Sequence, residues 1–368
     1  MDSLKNIVFG VVVFVVGIGL LSWNEHRAVQ KYQELHDVRD NVLSVSTDTI
    51  SPVHEGKPVY VSGDTATESV LKDPLFNVEA QAIRLRRKVE MYQWQEQKTT
   101  AAPEQSDGAS QDPSGVSYRK VWSERLIDSS AFKESGHENP TVMHPEGWSD
   151  VADKVTLGSF TLSQEAISRL TTFQPYPVFR ATLPEGARLE DSVILIGSEG
   201  GVADIGDKRI SFEIVPQGPV SVIAAQKGSV LAPWRRSRGT KYLLIQQGTY
   251  SAEEMLGQAK SNVSFLTWIF RAVGGFLMAF GVTTVLNPLS VMKDVVPFFG
   301  YLLGRGVRIF SVLSSAVVAL SVIGIAWVAT RPFFGLTALA GAVGFLVWIG
   351  FRAHKNKLAR KATKVAKT

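Results

Sequence analysis

From Ile309 to Thr330 the chain runs for 22 residues without a charged side chain, and after Arg331 it runs for another 20, Pro332 to Phe351. No other feature restricts the fold as much. A helix of about 20 residues is about 30 Å long, the thickness of a bilayer's hydrocarbon core. Soluble helices seldom carry uncharged runs of this length. Two further stretches qualify: Ile7 to Trp23, with 17 uncharged residues, and Phe265 to Leu286, with Arg271 as its single charge. The first could instead be a cleaved signal peptide. Its length argues for a retained helix, and its Gly-Leu-Leu-Ser-Trp end is a poor small-x-small cleavage site. The fold class expected is therefore an α+β membrane protein: four transmembrane helices plus a large β-rich extracytoplasmic domain. The expected boundaries are a cytoplasmic N-terminus at 1–6, spans at 7–23, 265–286, 309–330 and 332–351, the β-rich domain at 24–261, a cytoplasmic or interfacial loop at 287–308 and a tail at 352–368. Only Arg331 separates the last two uncharged runs, so a very tight hairpin is expected there.

Charge divides along the same lines. Residues 24–261 carry 26 Lys and Arg against 32 Asp and Glu. The rest carries 13 Lys and Arg but only Asp2 and Asp294. The basic pI of about 9.2 therefore describes the membrane part and the tail, and it gives no ground for a nucleic-acid reading. Seven of these basic residues follow Phe351 with no acid among them, which marks the tail as cytoplasmic. Four crossings return the N-terminus to the same side and leave the acidic domain outside. Without cysteine, disulfides, thiolate zinc sites, iron–sulfur clusters and cysteine nucleophiles are excluded.

Within 24–261, a charged helix is expected over 24–44, followed by short alternating runs punctuated by Gly, Pro and Asp. Strands are expected at Pro58–Ser62, Ala82–Glu96, Tyr118–Leu126, Val193–Ile196, Arg209–Val215, Val220–Ala224 and Tyr242–Gln246. A short helix is expected at Gln164–Leu170. The polar segment Lys98–Ser117 reads as the flexible loop of a long hairpin. Ser251-Ala252-Glu253-Glu254 resembles a capping box that opens the helix into the second span. Residues 55–94 and 188–215 share a strand, turn, strand pattern that an internal duplication would explain.

No nucleophile elbow, dinucleotide fingerprint, P-loop, zinc-protease or EF-hand pattern occurs. No catalytic residue, cofactor or metal is therefore expected. His137 and His144 lie seven apart on a loop, but nothing in the sequence makes metal ligands converge there. The densest feature is RLRRKVEMYQW, residues 84–94. At a period of two, Arg84, Arg86, Lys88, Glu90, Tyr92 and Trp94 share one face, and Leu85, Val89 and Met91 share the other. The strip is either a surface for lipid phosphates or an acidic partner, or a strand face with internal ion pairs. Glu90 and Glu96, on the same face, favour internal pairing. Arg271 is an intramembrane charge, which suggests function. Trp268 marks a nearby interface, so outward snorkelling is expected. Val295–Gly304, with Gly300 and Gly304, is an interfacial or re-entrant piece or the start of the third helix.

Several motifs, in order along nearly the whole chain, resemble the transmembrane protein 43 family, also called LUMA. They are WNEHRA (23–28), EGKPVYVSG (55–63), RLRRKVEMYQW (84–94), GHENP (136–140), GDKRISFEIV (206–215), VSVIAAQKG (220–228), SAEEM (251–255) and TWIFRAVGG (267–275). RLRRKVEMYQW is the most specific. The first departs from the pattern at His26, where family members often have Gly. The resemblance implies four spans, cytoplasmic termini and a lumenal or periplasmic domain. Eukaryotic relatives reside in the endoplasmic reticulum and inner nuclear membrane, associated with envelope organisation. The lack of cysteine and the compact tail point to a bacterial member, in the inner membrane. Two functions compete. One is a membrane organiser or scaffold that self-associates as a homo-oligomer and presents its domain to lipids or other membrane proteins. The other is a lipid-binding or lipid-processing protein with the β-rich domain at the bilayer surface. A channel is the weakest reading, because one arginine leaves few polar groups to line a pore.

Overall fold

A computed structural model describes residues 2–98, 116–198, 202–235, 241–289, 305–328 and 331–365. The chain divides into two compact units, a helical one of Met1–Asp40 with Glu253–Thr368 and a β-rich one of Asn41–Ala252. Of the expected loop Lys98–Ser117, Lys98 ends one strand and Val116 and Ser117 begin the next, while residues 99–115 and the Val295–Gly304 stretch lie outside the described residues.

The helical unit holds α1 (Asp2–Asn41), then, beyond the β-rich unit and its short helix α2 (Gln164–Ser168), α3 (Ala252–Leu289), α4 (Arg305–Val328) and α5 (Pro332–Val365). Among the described residues three helices are long and apolar enough to cross a membrane, Leu4–Asn41, Ala252–Leu286 and Ile309–Val328; a fourth apolar stretch, Pro332–Trp348, is shorter. The charged segment expected after the first span is continuous with it in α1. Likewise α3 begins directly after Ser251, with Glu253 and Glu254 in its first turn, where carboxylates suit the exposed backbone N–H groups.

Glycines set how closely these helices approach. A Cβ added at Gly10 would lie 2.8 Å from the Gly281 carbonyl oxygen, and one at Gly17 3.1 Å from that of Gly274. The chain directions are opposed, and each helix places its glycines seven residues apart, two turns of helix along one seam. Small residues let backbones touch where lipid supplies no hydrophobic drive for association. The α4–α5 hairpin is tight for the same reason. A Cβ at Gly335 would lie 2.5 Å from the Val328 nitrogen and 2.8 Å from the Gly324 carbonyl oxygen.

The strands of the β-rich unit are, in chain order, β1 (Leu43–Ser44), β2 (Pro58–Ala66), β3 (Val70–Lys72), β4 (Glu79–Gln81), β5 (Arg84–Lys98), β6 (Val116–Ser123), β7 (Trp148–Val151), β8 (Thr156–Leu157), β9 (Phe160–Leu162), β10 (Gln174–Tyr176), β11 (Ala187–Glu190), β12 (Val193–Ile196), β13 (Lys208–Val215), β14 (Pro219–Lys227), β15 (Val230–Ala232), β16 (Trp234–Arg235), β17 (Lys241–Tyr242) and β18 (Leu244–Gln247). One sheet closes on itself: β2 pairs with β8, β8 with β9, β9 with β15, β15 with β14 and β14 again with β2. Val59, Val61, Leu157, Phe160, Val222 and Leu231 belong to its core, with Ala166 and Ile167 of α2 in the same cluster. Ser163 caps α2 by accepting from the Ala166 N–H.

The second sheet runs β11-β12-β13-β5-β6, with β10 beside β13 and β7 beside β5. Its spine is the 15-residue β5. β13 pairs with β5 from Lys208↔Met91 to Val215↔Arg84, and β6 from Ser123↔Met91 to Val116↔Lys98. The predicted long hairpin is thus formed by β5 and β6. The pattern shared by 55–94 and 188–215 is not an architectural repeat. β2 lies in the first sheet and β5 in the second, whereas β11, β12 and β13 are successive antiparallel neighbours. Alternating apolar residues occur in almost any half-buried strand, so the pattern does not specify a common fold.

Candidate functional site

The two motifs that flank the β-rich unit in sequence, WNEHRA and TWIFRAVGG, meet in space. Glu25, on the turn of α1 that follows the uncharged run, is fully buried. Arg271 of α3 grips it with both ends of the guanidinium: Nε donates to Oε1 at 2.7 Å and Nη2 to Oε2 at 2.8 Å. Trp327 of α4 donates its indole N–H to Oε2 at 2.6 Å. Asn24 donates from Nδ2 to the Thr267 carbonyl at 3.2 Å. This contact continues the seam of opposed residues: Gly10 faces Gly281, Gly17 faces Gly274 and, seven residues on, Asn24 faces Thr267. Close backbone approach at the glycines brings the longer side chains of the next step within bonding distance.

One carboxylate therefore joins three helices. A two-pronged arginine–carboxylate pair fixes orientation as well as distance. Removing two such charges from water costs several kcal/mol per ion, offset only when geometry and extra hydrogen bonds are good. Here Trp327 supplies the extra donor. The snorkelling expected of Arg271 does not occur. Its side chain is only 11% exposed and turns inward, its guanidinium 4.9 Å from the centre of the Trp268 ring. The fixed carboxylate outweighs the hydration that an outward path would have given.

The basic-aromatic strip is likewise committed internally. Arg84 donates to the Ser168 and Leu170 carbonyls at 3.2 Å each. Its pKa is lowered by burial and by the neighbouring Arg86. Arg86 pairs with Glu213 and lies over the Phe173 ring at 4.2 Å. Lys88 sits between Glu90 at 3.5 Å and Glu124 at 3.2 Å. Glu90 also takes a two-pronged pair from Arg209, at 2.8 and 3.1 Å. Burial alone would raise the Glu90 pKa, but Arg209 and Lys88 overcome it and hold the carboxyl low. Tyr92 packs on Trp122 at 5.1 Å. Trp94 meets the edge of His137 at 4.6 Å, and His137 stacks on Tyr118 at 3.8 Å. In the GHENP motif Asn139 clamps the backbone of Trp94: Oδ1 accepts from its N–H at 2.7 Å and Nδ2 donates to its carbonyl at 2.9 Å. The predicted face is therefore present, with Glu90 and Glu96 supplied by β5 itself, Glu213 by β13 and Glu124 by the loop after β6. Glu96 accepts from the Tyr118 hydroxyl and the Lys133 N–H. Among the described residues no group of three or more His, Cys, Asp or Glu could hold a metal ion.

Sequence reading missed a second buried pair. Arg87 shares the core face of β5 and is 7% exposed, and its partner Asp73 is fully buried. Asp73 Oδ1 also accepts from the N–H groups of Leu75 (3.0 Å) and Phe76 (2.7 Å). The available signal was a charge where the period-two pattern required an apolar residue. The partner lay in a turn that periodicity does not place.

A family model for transmembrane protein 43 matches residues 91–332. The transmembrane protein 43 of Rattus norvegicus is 29% identical over 350 residues, covering 92% of this chain and 87% of the relative. That of Homo sapiens is 29% identical over 340 residues, covering 89% and 85%. A Drosophila melanogaster homolog is 30% identical over 351 residues, covering 92% and 93%. No solved structure matches the chain.

Proposed function

This chain belongs to the transmembrane protein 43 family, and on that premise we propose that it is a non-enzymatic membrane organiser that acts by self-association and by presenting its β-rich domain to lipids or other membrane proteins. The observation that carries this reading is how the polar groups are spent. Glu25, Arg271, Arg86, Lys88, Glu90, Arg209, Asp73 and Arg87 all hold protein partners. Groups so paired give rigidity and are poorly placed to exchange protons with a substrate. Self-association finds support on α5. Gly341 and Gly344 have nothing within 4 Å of an added Cβ, so that face is open to another helix backbone. Val343, Leu346 and Val347 are exposed beside them.

The proposed setting is a bacterial inner membrane with the domain periplasmic and both termini cytoplasmic, supported by the basic tail. The eukaryotic setting, endoplasmic reticulum or inner nuclear membrane, is the alternative. Subunit counting in nanodiscs tests the organiser reading. The expected result is an oligomer that Gly341→Ile and Gly344→Ile convert to a monomer. A wild-type chain that is monomeric across the accessible concentration range refutes it. The alternative is a lipid-binding or lipid-processing protein with the β-rich domain at the bilayer surface.

A further inference from the structure

A cleft of about 250 Å³ lies between α1 and α4, lined by Ser22, His26, Val29, Val322, Ile325 and Ala326. Its walls are mainly apolar, and they fall where the uncharged runs of both helices end. At that depth the surrounding solvent is lipid. Four of its six lining side chains are apolar, with Ser22 and His26 of α1 as the polar ones, so the wall formed by α4 is suited to hydrocarbon rather than to water.

The charges nearby decide which lipid. Trp327 directly follows Ala326, and the Arg331 guanidinium lies 5.4 Å from its ring centre and 4.9 Å from that of Tyr32. Arg331 therefore sits beyond the headgroup end of the cleft wall, exposed and with no carboxylate partner among the described residues. Arg27, one residue on from His26, is held over the rings of Trp23 and Phe270, each at 5.6 Å. Its Nε and Nη2 have no hydrogen-bond acceptor among the described residues. Among the described residues the buried acid at this level is Glu25, which is held by Arg271 and Trp327. The cluster is left with an excess of positive charge at headgroup depth. Arginine is suited to phosphate there, being planar, permanently charged and weakly hydrated.

We propose that the α1–α4 cleft is a binding site for an anionic phospholipid, with an acyl chain against Val322, Ile325 and Ala326 and the headgroup phosphate held by Arg331. The site rests on the membrane placement of the helices and not on the organising role proposed above, so either can fail without the other. The probes are phosphatidylglycerol and phosphatidylcholine with identical acyl chains, titrated onto delipidated full-length protein and read by native mass spectrometry. Wild type is expected to retain phosphatidylglycerol about fivefold better than phosphatidylcholine, the effect of one cation near an anionic headgroup. Arg331→Gln should bring the ratio to about one by lowering phosphatidylglycerol alone. Ala326→Leu, which narrows the cleft and keeps both cations, should weaken both lipids together. Arg119→Gln, on the exposed edge of β6, should change neither. Thermal unfolding of each variant separates lost binding from lost fold, and Ile325→Phe, at an exposed position of the same cleft wall, replaces Ala326→Leu if the latter unfolds, with both lipids again expected to weaken together. Equal retention of the two lipids by wild type, or selectivity that survives Arg331→Gln, overturns the proposal.

Discussion

The Glu25–Arg271 pair offers the sharpest test of how the helical unit is held together. Glu25→Ala leaves a guanidinium that is 11% exposed without its carboxylate. Arg271→Ala leaves a fully buried carboxylate with the Trp327 indole as its main remaining donor. Breaking a buried pair from one side costs about 3–5 kcal/mol, mostly the penalty of the orphaned charge. The double variant Glu25→Met with Arg271→Met removes both charges and keeps most of the volume. It should cost less than about 1.5 kcal/mol, the range of volume-conserving core changes. The double-mutant cycle then gives a large coupling: each single change costs more than both together. The assay is thermal unfolding of full-length protein in a fixed detergent, with Trp327→Phe in parallel. That substitution deletes one donor and should cost about 1–3 kcal/mol. If each single change costs under about 1 kcal/mol, or if the double variant costs the sum of the singles, the pair is not the buried clamp described above.

The glycine seam predicts a graded series. Gly281→Ala must displace backbone at 2.6 Å, whereas Gly274→Ala meets its nearest atom at 3.4 Å. By unfolding in detergent, the first should lose about 1–3 kcal/mol and the second clearly less. In the β-rich unit, Asp73→Ala strands Arg87 and two backbone donors, with an expected loss of about 3–5 kcal/mol by chemical denaturation. A loss near that of a surface pair would contradict the burial. For pH, Glu90 has a folded pKa below its ordinary value near ~4.3. Its contribution is therefore complete above that value and is lost as pH falls through the lowered one. Glu90→Gln should flatten the acid limb of a stability profile while lowering stability at pH 7. Lys88 runs the other way. Burial opposes, but Glu124 and Glu90 raise its pKa, so its share holds below its ordinary value near ~10.4 and fades as pH rises through the raised one. An alkaline limb unchanged by Lys88→Gln would count against the pairing.

The membrane helices could be read from the sequence because their cause is local. An uncharged run of 17 to 22 residues carries its own reason to leave water. The β5 strip was legible for a related reason, since period two fixes which side chains share a face before any partner is known. The strand positions at β2, β12, β13 and β14 followed from the same alternation and its Gly and Pro boundaries. What the sequence left open is every fact that depends on register between segments far apart in the chain. Arg271 read as a snorkelling charge because Glu25 lies 246 residues away. Only the packing of Gly10 on Gly281 and Gly17 on Gly274 sets the register that brings them together. Arg87 is the same case: a charge on an apolar face makes sense only once the turn carrying Asp73 folds over it. The closure of β2, β8, β9, β15 and β14 into one ring was equally invisible, since strand neighbours are chosen by backbone pairing across the whole domain. Periodicity assigns a residue to a face, and only tertiary contact supplies the charge that pairs with it there.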